Sequence, residues 1–145
     1  MKQTILIIVG LVMLSGVSLN SHNEVSLPFN TVKESDAISM DVTVTMYNAN
    51  TSQCDDSPLI TADGSKINPT KATELKWVAL SRDLLKRWGG KFEYGNKVLI
   101  EGTGYKDGIY EVRDCMNKRF KLRIDILETV GKKHYKFKNV KITKI

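Results

Sequence analysis

From Val42 onward the apolar residues fall on alternate positions in short runs, a spacing that fits strands buried on one face and excludes long amphipathic helices. Val42, Val44 and Met46 alternate with Thr43, Thr45 and Tyr47. Trp77, Val78, Ala79 and Leu80 form a short continuous run. Val98 and Ile100 alternate within residues 97–101, and residues 110–113 follow the turn Lys106-Asp107-Gly108. Residues 120–127 and 135–145 extend the pattern. One helix interrupts it: Ser81 is placed as an N-cap for residues 82–88, Leu84, Leu85 and Trp88 share a face, and Gly89-Gly90 ends the turn. Six short strands with one short helix predict an all-β chain closed into a small barrel, because closure removes exposed sheet edges.

The N-terminus limits how much chain the barrel can use. Lys2 is followed by an uncharged stretch to Asn20 whose apolar centre runs from Ile5 to Leu14, and Gly16, Val17 and Ser18 are small. This is the pattern of a secretory signal, so residues 1–20 are expected to be removed on export to the periplasm or medium, leaving no membrane span. The apolar run is too short for an uncleaved anchor, the alternative, which needs roughly 18–20 such residues. Residues 21–40 lack periodicity and read as a flexible leader, and residues 41–145 as the folded domain. About 125 residues remain after cleavage, enough for one core.

An exported chain with two cysteines, Cys54 and Cys115, is expected to join them in a disulfide. The only histidines, His22 and His134, stand far apart without metal-ligand spacing, and no metal, cofactor or nucleic acid is expected. The net charge is +6, with Lys132, Lys133, Lys136, Lys138, Lys141 and Lys144 near the C-terminus. There lysines alternate with Tyr135, Phe137, Val140 and Ile142, which reads first as the wet face of a strand and second as a surface for an anionic polymer.

The residues that carry chemistry are acidic. Asp125 sits within Ile124-Asp125-Ile126, in a strand that disfavours Asp, and Asp114 ends the strand before it. In the bland reading Asp125 faces solvent while its isoleucine neighbours face the core. In the functional reading a rigid frame presents both acids at one site.

These residues also carry a resemblance. Gln53-Cys54-Asp55-Asp56-Ser57-Pro58-Leu59-Ile60-Thr61-Ala62-Asp63-Gly64 resembles the Gln-Thr-Asp-x-x-Pro-x-x-Thr-Ala-x-Gly segment of the Asp-Asp-Asp (3D) domain family, and Asp114 and Asp125 reproduce the spacing of its closing Asp and Arg-Ile-Asp. The stretches from Trp77 to Ser81 and from Tyr94 to Gly102 are similar to its Val-Ala-Val-Asp-Pro and Gly-Thr-x-Val-x-Ile-x-Gly stretches. The resemblance implies a double-psi β-barrel, the fold of membrane-bound lytic transglycosylase A and rare lipoprotein A, with peptidoglycan glycan strands as partner. It implies catalytic Asp125, supported by Asp114 through like-charge repulsion, and lytic cleavage of the bond between N-acetylmuramic acid and N-acetylglucosamine. Asp55, Thr61 and Arg123 are the candidate substrate-binding residues, with bracing of its own loop the favoured role for Asp55. Two departures stand out: Ser81 replaces an Asp, and residues 115–121 contain none of the family's turn glycines. The alternative function is a non-catalytic glycan-binding or envelope-assembly module.

Overall fold

A computed structural model describes residues 37–52 and 57–145; the expected signal peptide, most of the leader, Cys54 and Asp55 lie outside the described residues. Six strands form where alternation predicts them: β1 Ser39–Asn48, β2 Trp77–Leu80, β3 Lys97–Glu101, β4 Gly108–Cys115, β5 Arg123–Glu128 and β6 Phe137–Lys144. β1 begins two residues before the expected boundary, since Ser39 and Met40 pair with Thr143 and Ile142 of β6. The strands close into a barrel in the order β1-β5-β2-β4-β3-β6, with β6 returning to β1. Two pairs, β1/β5 and β2/β4, are parallel, and the other pairs are antiparallel.

Alternation sorts the side chains into two layers. Val44, Val78, Val112, Ile124, Ile126 and Val140 point inward and fill the barrel. Tyr47, Ala79 and Leu127 point outward, where Ile67 and Ala72 from the β1–β2 connection cover them. At about 25 cal/mol per Å² of apolar area, each such aliphatic side chain taken from water contributes roughly 1.5–3 kcal/mol.

The expected helix over residues 82–88 is not formed. Two 3-10 turns, Arg82–Leu84 and Lys86–Trp88, are separated by Leu85, whose backbone is extended at φ −86°, ψ 135°. Adjacent residues of a continuous helix point about 100° apart. The break lets Leu84 and Leu85 both bury, and Leu85 forms a lone parallel bridge with Phe92. Gly90 permits the return: a Cβ there would lie 2.1 Å from the Leu84 carbonyl carbon.

Candidate active site

Strand register sets the site. Ala79 on β2 is the Cα partner of Asp125 on β5 and of Asp114 on β4, and Asp125 is in turn opposite Thr45 on β1. The two acids therefore stand one strand either side of an alanine, about 10 Å apart at Cα from two interstrand spacings. A bulge makes this possible. The β2/β4 register passes from Val78 opposite Val112 to Ala79 opposite Asp114, so Arg113 is the extra residue and Asp114 is turned to the outer face. Ala79, Asp114 and Asp125 line a cavity of about 510 Å³ with Tyr47, Thr61, Arg82 and Arg119.

Asp125 does not stand free in solvent as the bland reading has it, although Ile124 and Ile126 do face the core. Its carboxylate accepts a hydrogen bond from the Thr45 hydroxyl. Burial pushes its pKa above the usual aspartate range, and the Thr45 hydrogen bond and the nearby Arg123 charge only partly oppose this. The expected cause, repulsion from Asp114, is not among them.

Asp114 is a brace. It accepts hydrogen bonds from the Tyr47 hydroxyl (3.1 Å), the Ala62 N–H (2.9 Å) and the Cys115 N–H (2.8 Å). It thereby ties β1, β4 and the loop around Thr61 into one wall.

That loop has its own fastening. The Thr61 hydroxyl donates to Asp63 (2.6 Å), and Arg113 Nη1 reaches Asp63 at 3.0 Å. Burial would raise the Asp63 pKa, but the Thr61, Arg113 and Ser65 donors outweigh it and hold the carboxyl below the usual range. Thr61 lines the cavity, but its hydroxyl is engaged within the loop. Arg123 does not line the cavity; it stacks on Phe120 at 4.7 Å. Buried Ser81, where the resembled family has Asp, accepts the Arg123 N–H at 3.1 Å and so aligns the start of β5.

The structure does not support the expected disulfide: Cys115 is free among the described residues, and Cys54 lies outside them. Asp114 faces outward, so Cys115, paired with Leu80, turns toward the interior cluster and packs against it.

Sequence reasoning missed Thr45, Tyr47 and Arg82. The first two read only as the polar half of a strand, and nothing local says that β5 will lie beside β1. No protein-family model matches the chain, and no curated protein matches it.

Proposed function

We propose that this chain is an exported peptidoglycan-acting protein that cleaves glycan strands in the Asp114–Asp125 cavity, with Asp125 as acid and then base. The observation that carries the reading is Asp125 itself, a carboxyl in a cavity wall whose pKa is held up by burial beside a single hydroxyl donor. A proton donor must be neutral before it acts, and a buried carboxyl meets that need nearer neutral pH than an exposed one.

In this mechanism Asp125 gives its proton to the glycosidic oxygen as the bond from the muramyl anomeric carbon breaks. The 6-hydroxyl of the same sugar then forms a new bond to that carbon, and its proton returns to Asp125. One carboxyl completes the cycle, so no second carboxylate need act across the bond as in ordinary glycosidases. Asp114 serves by positioning, because its oxygens hold the loop and Tyr47. The two parallel pairs, β1/β5 and β2/β4, support the double-psi form of the barrel, since parallel neighbours need crossovers instead of hairpins.

The second reading is a glycan-binding or envelope-assembly module. It is favoured by residues 115–121, where the absence of glycine keeps the backbone farther from a sugar than a glycine turn would. Incubating residues 21–145 with purified sacculi separates the two readings. Anhydro-muropeptides in the supernatant support cleavage. Co-sedimentation without them supports the binding module, and the absence of both counts against a glycan ligand.

A further inference from the structure

The proposed chemistry uses the acidic residues of the cavity and leaves its two arginines unexplained. Arg82 and Arg119, far apart in sequence, both line it. Neither forms an ion pair within the described residues, whose salt bridges belong to Lys86, Lys106 and Arg113. Arg82 is also held in place: its guanidinium lies 5.1 Å from the Trp88 ring centroid, and its Nε is sealed from solvent without a hydrogen-bond partner. A guanidinium that lines a cavity without an ionic partner is stabilised by an acceptor that arrives with a ligand. Arg119 stands over Phe120 at 4.7 Å, in the same turn as exposed Lys118.

Resting on the glycan reading above, we propose that Arg82 and Arg119 form a carboxylate subsite, so that the preferred glycan carries an anionic substituent beside the bond held near Asp125. A guanidinium presents paired N–H groups that match a carboxylate, and stacking on an aromatic ring fixes its plane beforehand. In a muramyl strand the carboxylate has two sources, the lactyl group of a bare strand or the acidic residues of a stem peptide. Both extend from the sugar ring and reach a cation at the cavity edge. A neutral N-acetylglucosamine oligomer offers neither.

Calorimetric titration of the Asp125→Asn protein, which keeps strands intact, tests this with four probes of equal length. These are bare muramyl strands with free lactyl carboxylates, the same strands with those carboxylates amidated, strands bearing stem peptides, and N-acetylglucosamine oligomers. Carboxylate-bearing strands should bind about 10- to 100-fold tighter than amidated or neutral ones, the range for hydrogen bonds to charged groups. Tight binding of the bare strand alone assigns the lactyl source, and of the peptide-bearing strand alone the stem. The preference should collapse in Arg82→Gln and in Arg119→Gln, and persist in Lys138→Gln, an exposed lysine of β6. Arg119 is exposed, so its variant tests the idea even where Arg82→Gln folds poorly. Equal affinity for free and amidated strands overturns the subsite while leaving the glycan reading intact. Failure of every probe to bind overturns both.

Discussion

Replacing Asp125 by Asn should abolish cleavage and stabilise the fold at the same time. Asn is nearly isosteric and keeps an oxygen to accept from Thr45, so no hydrogen bond need be lost. It cannot give and recover a proton. General acid–base catalysis is worth about 100- to 10,000-fold, and one group used twice belongs at the upper end, about 5 kcal/mol of barrier. Stability moves the other way. Burial raises the folded pKa of Asp125, so between the unfolded value and the raised folded value the native state binds a proton that the unfolded chain has released. The parent therefore loses stability as pH rises through that window and carries the full penalty above it. The variant carries none of it. Its melting temperature should exceed the parent's at pH 7, and the gap should close as pH falls below 4. In a domain of about 100 residues each kcal/mol appears as roughly 4–8 °C. Calorimetric melts at pH 7 and pH 4, with sacculus turnover beside them, read both effects, and exposed Asp41→Asn serves as the control. Parental turnover by a folded Asp125→Asn removes Asp125 as the acid. A lower melting temperature at pH 7 refutes the burial reasoning.

Glu128, fully buried, is bonded by Lys106, Thr73 and Tyr135, and these donors outweigh burial to hold its carboxyl below the usual range. Its contribution is therefore present at neutral pH and lost as pH falls through the lowered folded pKa; Glu128→Gln should cost about 2–4 kcal/mol by urea melts at pH 7 and less in acid, since Lys106 keeps some access to water. Asp63→Ala removes one partner each from Arg113 and Thr61, which keep Glu111 and Ser65, and should lower stability by about 1–3 kcal/mol with faster protease cleavage within residues 57–66. Gly90→Ala forces a methyl against the Leu84 carbonyl and should cost about 1–3 kcal/mol or more, while glycan affinity falls because the Arg82 turn is displaced. An unchanged melting temperature for Gly90→Ala would show that this chain reversal relaxes freely.

Strands were legible because period two is a local property: Val42, Val44 and Met46 announce β1 without knowledge of its neighbours. The segment after Ser81 misled, because Leu84, Leu85 and Trp88 fit a helical face while the burial of adjacent leucines, with Phe92 to pair against, favours a break at Leu85. Asp125 and Asp114 stood out as acids in strands, but their common neighbour Ala79 could not be read, since it depends on the bulge at Arg113. Nothing in the local sequence marks Arg82 or Arg119. Only the barrel brings them to one cavity.

Closure between β1 and β6 also sets the order of assembly. Ser39 pairs with Thr143 and Thr43 with Arg123, so the first strand finds both neighbours only when the last part of the chain is present. Such distant pairings make the barrel a slow folder compared with a helical domain of equal length, because long loops must close before any contact compensates them. Until β6 emerges, β1 and β3 each keep an unpaired edge. The sheet is therefore completed only when the last strand of the chain takes its place between β1 and β3.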